Sequence, residues 1–348
     1  MLRNRTMFVF VIAFVSLFTW IMPVFAEETA AVPAADPQPL PFVEGSWTFV
    51  LLPDTQAYVM KYPDVLTKQI RWIVDNKEQR SIAFVATEGD ITNNNTTDQW
   101  GNARYSFSFM DGVMPYALVP GNHDYGPNGS AATRETKLNI FFPIELLGKQ
   151  PTFGGVFERG KLDNSYHLFS AGGRDWLVIG LEWAPRNEVV QWANKVLDKY
   201  PSRSAMIITH AYLYNDDSRY DHITAKQDWN PHNYPTAKLP GAVNDGEELW
   251  QKLIYNHKNV VFVFSGHVLH EGTGLLTSKG ANGNDVHQIM ANYQMRKEGG
   301  EGYLRLLEFL PDGNTVQVKS YSPHLDKYMT ASDQQFVLTV PPAPAKAK

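Results

Sequence analysis

The sequence predicts an α/β fold of mixed sheets with helices outside them. Three observations predict it. Short apolar runs bounded by turn residues recur along the chain. Helical patterns fall between several of them. Near the end, closely spaced strand-like runs take over, so the chain begins as β-α-β and ends as a β-meander. The 348 residues suit one large domain, and 43% apolar with 19% charged residues is a globular composition.

The first segment stands apart from that fold. Arg3 and Arg5 precede an apolar run at 7–22, and small residues at 24–26 offer a cleavage site. Residues 1–26 read as a signal peptide, because the run is short of the ~20 apolar residues that a membrane span needs. Residues 27–45, rich in Ala and Pro, read as a linker. Residues 46–340 read as one domain, and "PPAPAKAK" at 341–348 as a disordered tail.

Strands are expected at 47–52, 82–87, 116–119, 176–181, 205–209 and 260–264, where apolar residues run together as in buried strands. Pro63 opens a helix carrying Leu66, Ile70 and Ile73. Val189, Trp192 and Val196 mark another. Asn244 or Asp245 caps a third, with Leu249 and Leu253. Runs at 286–293, 303–310, 315–321 and 335–340 form the expected meander. Residues 211–241 lack periodicity but are rich in Tyr, Asp, Asn, His and Pro, as a functional loop would be.

Composition excludes several classes of function. The chain has no cysteine, hence no disulfide, thiolate metal site, cysteine nucleophile or lipid-modified N-terminal Cys. That suits an exported protein, secreted or periplasmic, with no stable membrane anchor. The formal charge of −5 gives no overall attraction to a nucleic-acid polymer or an acidic membrane. No G-x-S-x-G, G-x-G-x-x-G or P-loop lysine motif is present.

The chemistry lies just past the expected strands. "LLPDTQ" delivers Asp54 and Gln56, "FVATEGD" delivers Asp90, and "ALVPGNHD" delivers Asn122, His123 and Asp124. "MIITH" delivers His210 and "FVFSGH" delivers His267. An Asp after a strand is usually a turn former, and a single His is usually structural. Five such strand ends together point to a shared site, since ligands bind beyond the carboxyl ends of strands in open α/β sheets. Carboxylate, amide oxygen and imidazole are the donors that divalent cations prefer.

This series resembles the motifs of the calcineurin-like metallophosphoesterases: Asp-x-His, Gly-Asp, Gly-Asn-His-(Asp/Glu), a later His, and Gly-His-x-His. Here they read "DTQ", "GD", "GNHD", "TH" and "GHVLH", in the same order. The resemblance implies a four-layer α/β/β/α sandwich of two mixed sheets. It implies a centre of two divalent metal ions (Mn, Fe, Mg or Zn), with a bridging hydroxide that attacks a phosphomonoester or phosphodiester of a small phosphorylated substrate. Asp90 would bridge the ions, Asp54 and Gln56 would serve the first, and Asn122, His210 and His267 the second. His123 would assist the leaving oxygen, and Asp124 would orient His123 through a hydrogen bond.

Two departures from the pattern stand out. Gln56 replaces the usual His; in an extended chain it would still face the same side as Asp54. The last His is displaced, with Leu269 in its place and His270 one position later. His270 is a further ligand candidate only if the chain bends there, and Asn94 is another neighbour of the site. Both departures weaken the first ion's site, which implies a lopsided centre. A second reading is a catalytically weakened protein of the same fold that binds a phosphorylated or sugar ligand; His123 and Asp124 argue against it. The aromatics of the 211–241 loop, among them Tyr212, Tyr214, Tyr220, Trp229, His232 and Tyr234, either roof the pocket or pack the loop down. Asn292 and Arg296, at the end of the run 287–296, are further candidates for substrate contact.

Overall fold

Residues 37–270 and 272–344 are described by a computed structural model. The expected signal peptide, residues 27–36 of the linker and residues 345–348 of the tail lie outside the described residues. Two seven-stranded sheets form the framework. The first holds β1 (Trp47–Leu52), β2 (Ile82–Thr87), β3 (Tyr116–Ala117), β11 (Leu304–Phe309), β12 (Thr315–Ser322), β13 (Lys327–Met329) and β14 (Gln335–Thr339). The second holds β4 (Phe153–Val156), β5 (Ser165–Ala171), β6 (Arg174–Leu181), β7 (Ser204–Thr209), β8 (Val260–Ser265), β9 (Thr273–Lys279) and β10 (Asp285–Ala291). The helices are α1 (Gln56–Lys61), α2 (Pro63–Asp75), α3 (Thr97–Phe107), α4 (Leu138–Phe141), α5 (Ile144–Leu147), α6 (Asn187–Lys199) and α7 (Gly246–Leu249).

Side-chain alternation explains the layering. On β1, Phe49 and Leu51 face inward and meet Val178, Met206, Ile208, Phe262 and Phe264 of the opposite sheet. Val50 and Leu52 face outward onto Leu66, Ile70 and Ile73 of α2 and Trp100 and Phe107 of α3. On the far side, Ile179, Ile207 and Val263 pack against Val189, Ala193 and Val196 of α6. The order is therefore helix, sheet, sheet, helix. A strand covered on both faces reads as continuously apolar, which is why "WTFVLL" carries no polar alternation beyond Thr48.

In each sheet the central strands are parallel: β1–β2–β3 in one, and β6–β7–β8–β10 in the other. Their carboxyl ends are where the site forms. Pro63 opens α2 at its first turn, with Asp64 beside the helix N-terminus. Asp245 caps α7 in a capping box with Glu248.

The expected meander is not one sheet. β10 pairs with β8 and β9 in the second sheet, while β11, β12 and β14 join the first. The loop between β10 and β11 crosses from one sheet to the other, a step that leaves no mark in hydrophobic periodicity. Part of the expected linker is fastened down: Leu40 N–H donates to Gln335 at 2.9 Å and Val43 N–H to Glu308 at 2.6 Å. Pro341, in the expected tail, accepts a hydrogen bond from Arg174 at 2.6 Å.

Candidate metal centre

The chain turns sharply where it leaves the strands. Asp54, Asp90 and His267 have φ of 32°, 49° and 73°, in the left-handed region that non-glycine residues avoid. Such a conformation costs of order 1–3 kcal/mol per residue and persists where the surroundings over-determine it. Here the turns aim three polar heads from three strands at one point.

Glycines clear the space. A Cβ on Gly89, itself at φ 105°, would run into the His210 ring, and a Cβ on Gly266 would sit on the Asp54 carboxylate. Each "G" of "GD" and "GH" is thus a neighbour of a different motif's side chain.

The heads converge. Asp90, His210 and His267 each offer a ligand atom within 4.8 Å of the others, and all three are buried. His210 Nε2 lies 3.2 Å from Asp90 Oδ2 and 4.0 Å from Asp54 Oδ1. His267 Nδ1 lies 3.2 Å from His210 Nε2. Both Asp54 oxygens accept the His267 backbone N–H at 3.2 Å.

Backbone carbonyls set the histidine tautomers. His210 Nδ1 is 2.8 Å from the Glu88 carbonyl, and His267 Nε2 is 2.9 Å from the Trp229 carbonyl. A carbonyl only accepts, so those nitrogens carry protons. Of the opposite nitrogens, His210 Nε2 faces the Asp90 carboxylate and His267 Nδ1 faces His210 Nε2. A carbonyl bonded to the far ring nitrogen commonly orients a metal-bound histidine in this way.

Two amide oxygens complete the set. Asn122 donates through Nδ2 to the Gly129 carbonyl at 2.9 Å, and its Oδ1 is buried without a protein partner. Gln56 donates through Nε2 to Asp90 Oδ2 at 2.9 Å, and its Oε1 is likewise buried and unpartnered. Buried oxygens without a partner are costly. Two of them beside two carboxylates and two imidazole nitrogens make a pocket that calls for positive charge. The donors fit divalent cations.

The electrostatics agree. Burial drives the His210 imidazole down, but the Asp90 and Asp54 carboxylates outweigh it and hold it up at about 9. Burial works to raise Asp90, yet His210 and His123 keep it below the usual carboxylate range. Asp54 goes the other way: burial raises it, and His210 only partly offsets this. Burial lowers His267 to about 3, with His210 adding to the effect.

Several expected roles change. Asp124 does not hydrogen-bond to the His123 ring. Its oxygens are taken by the backbone N–H groups of Ile91, Thr92 and Gly121 at 2.8–3.0 Å, and by the Thr92 hydroxyl at 2.9 Å. It pins the loop after Asp90 to the loop of "GNHD". The His123 ring is held instead by the Asn93 carbonyl, 2.8 Å from Nδ1, and the His123 backbone N–H donates to Asp90 Oδ1 at 2.9 Å. Gln56 is not on an extended segment. The left-handed turn at Asp54 starts α1, and Gln56 reaches Asp90 from the helix's first residue.

His270 is exposed and leans on Trp229, with ring centroids 5.3 Å apart. A left-handed turn at φ 58° puts it on the rim, away from the Asp90–His210–His267 group. Asn94 also stays outside, its Oδ1 accepting the Asn128 backbone N–H at 2.8 Å. His270 and Asn292 line a cavity of about 770 Å³ with Arg296, Tyr303 and Lys327, whose walls include none of Asp54, Asp90, His210 and His267.

One residue escaped the sequence reading. Glu88 is fully buried, and neither carboxylate oxygen has a protein partner. Burial raises its pKa, Asp54 adds to this, and Arg305 opposes it. The signal was visible: an ionisable side chain two residues before Asp90, inside an otherwise uncharged run.

Comparison with known proteins adds a family. The pattern of the calcineurin-like phosphoesterases matches residues 48–272. An uncharacterized Bacillus subtilis protein, YvnB, is 33% identical over 293 residues, covering 82% of this chain. The chain spans only 20% of that relative's length. Among solved structures, a yellow lupin purple acid phosphatase aligns over 86% of this chain and 55% of its own, at 13% identity and a TM-score of 0.48. GAP50, the anchor in the inner membrane complex of Plasmodium, aligns over 85% and 89%, at 11% identity and a TM-score of 0.46.

Proposed function

This chain belongs to the calcineurin-like phosphoesterase family, and from that premise we propose that it is an exported, dinuclear metal-dependent hydrolase of a small phosphorylated substrate. The single observation behind the metal-dependent reading is the convergence of Asp90, His210 and His267, with Asp54 4.0 Å from His210 and the buried amide oxygens of Gln56 and Asn122 left unpartnered.

In this reading Asp90, whose Oδ2 faces both Gln56 and His210, would be the ligand shared between the ions. Asp54 and Gln56 would hold one ion, and Asn122, His210 and His267 the other. When bound, divalent ions polarise the phosphoryl oxygens and lower the pKa of a water. The remaining work belongs to the protein. His123, held at Nδ1 by the Asn93 carbonyl, would as the imidazolium give its Nε2 proton to the departing oxygen. A positioned acid matters most for a poor leaving group, which favours a diester.

Turnover of p-nitrophenyl phosphate and its bis ester, with Mn²⁺ added, tests the reading. We expect metal-dependent hydrolysis that favours the bis ester. No turnover of either under several divalent metals would support the second reading, a ligand-binding protein whose first site was weakened by Gln56 and Leu269. Export rests on Arg3, Arg5 and the apolar run after them. N-terminal sequencing of the mature protein should begin at Glu27.

A further inference from the structure

The loop before α7 carries a second cluster of metal-binding side chains that the catalytic reading leaves unused. His222 and His232 come from the loop, Asp245 caps α7, and Glu248 lies in its first turn. One ligand atom from each lies within 4.8 Å of all the others. His222 Nδ1 is 2.9 Å from Asp245 Oδ2, and His232 Nε2 is 2.7 Å from Glu248 Oε2. The two imidazole rings lie face to face, with centroids 3.5 Å apart.

Each carboxylate divides its oxygens between the polypeptide and the cluster. Asp245 is fully buried; Oδ1 accepts the Glu248 N–H at 3.1 Å, while Oδ2 faces His222. Oδ2 is also steadied by Asn230 Nδ2 at 3.2 Å and the His222 N–H at 2.8 Å. Glu248 Oε1 pairs with Lys252 at 2.8 Å, leaving Oε2 towards His232, where it also accepts the Asp245 N–H at 3.1 Å. Support of this kind commonly orients metal ligands.

We infer that His222, His232, Asp245 and Glu248 form a second, non-catalytic site for one zinc-class divalent cation. Two imidazole nitrogens and two carboxylate oxygens match that ion's preferences and balance its charge. Tetrahedral bonds of about 2.0–2.1 Å set ligand atoms roughly 3.4 Å apart, so the two His–carboxylate pairs, 2.9 and 2.7 Å apart without the ion, open slightly on binding.

The cation's role is to fasten the loop. Asn230 touches this cluster; its neighbour Trp229 gives its carbonyl to His267. Trp229 is itself left-handed, at φ 60°. Holding Asn230 holds Trp229 in the strained conformation from which it sets the His267 tautomer. His222, His232, Asp245 and Glu248 are thus positioning residues.

The test uses the full chain carrying Asp90→Asn and His210→Ala, which disables the catalytic centre and separates this proposal from the previous one. After chelation, reloading with Zn²⁺ and desalting, that protein should retain one zinc equivalent. Zinc should raise its melting temperature and slow amide exchange across residues 220–248. Adding His222→Ala and His232→Ala should abolish all three effects. Should that protein misfold, Glu248→Gln serves instead and should weaken zinc binding at least tenfold. The inference is overturned if the parent retains no zinc, or if the loop substitutions leave the equivalent in place; the cluster is then two hydrogen-bonded His–carboxylate pairs.

Discussion

At the strand ends each histidine is fixed by a backbone carbonyl: Glu88 holds His210 and Trp229 holds His267. On the loop each is fixed by a carboxylate: Asp245 holds His222 and Glu248 holds His232. The difference decides what each cluster needs. With carbonyls holding the outer histidine nitrogens, the inner nitrogens stay with Asp90, and the amide oxygens of Gln56 and Asn122 are left unpartnered. That arrangement demands cations. The loop cluster closes on itself through its own hydrogen bonds, so it folds without an ion and gains order from one. Removing metal should abolish chemistry at the first cluster and loosen the chain at the second.

The largest effect that can break this comparison is Asp90→Asn. It keeps the shape but removes the charge that His210, Gln56 and the His123 backbone all lean on. Metal catalysis is worth several kcal/mol, so turnover should fall about 1000-fold or more. His222→Ala should change turnover under saturating metal by less than about tenfold, because it acts only through the loop. Equal losses in the two variants, measured as kcat with the metal content known, would dissolve the distinction.

The meeting of Asp90, His210 and His267 was legible in the sequence because each follows an apolar strand, and parallel strands deliver their ends to one edge. What escaped was whatever depends on turns. The left-handed step at Asp54 converts an expected extended segment into α1, and the one at His270 sends that ring outward. Asp124 was misassigned because sequence adjacency to His123 says nothing about four donors arriving from Ile91, Thr92 and Gly121. The loop cluster was invisible as a cluster. Its members span residues 222–248 with no periodicity, and only the fold stacks them. In the fold, β5 "SYHLFSA" escaped because polar residues interrupt its buried face.

That buried face supplies a control of intermediate size. His167 is buried between the sheets, with Phe84 and Phe153 against its edges, and no carboxylate is bonded to it. Burial alone lowers it to about 3. The sign follows: below pH 6.5 the unfolded chain takes a proton that the native one refuses until about pH 3. The stability is therefore complete above pH 6.5 and drains away as pH falls towards 3. At pH 5 the loss is about 2 kcal/mol relative to neutral pH. His167→Leu should flatten the stability curve between pH 6.5 and 4 in chemical denaturation, whatever the metal content. An unchanged slope would show that His167 finds a partner on protonation, and that burial without a counter-charge is not what separates it from His210.

The smallest effect is also the sharpest, because it lies within the catalytic centre. Gln56→His restores an imidazole where the family carries one, on a fully buried side chain already aimed at Asp90. A nitrogen donor suits borderline cations better than an amide oxygen. The first ion should bind about tenfold more tightly, roughly 1.4 kcal/mol. Activity should rise at limiting metal and change little at saturation, and metal analysis should move towards two equivalents in the centre. The two possible roles of Gln56 then separate cleanly. As a ligand through Oε1, it yields to His with a gain in affinity. As a donor that merely steadies Asp90 through Nε2, it yields with no gain, because a ring placed for metal cannot also keep that hydrogen bond. A titration of metal against turnover in both proteins reads the answer from the midpoint alone, without reference to the maximal rate.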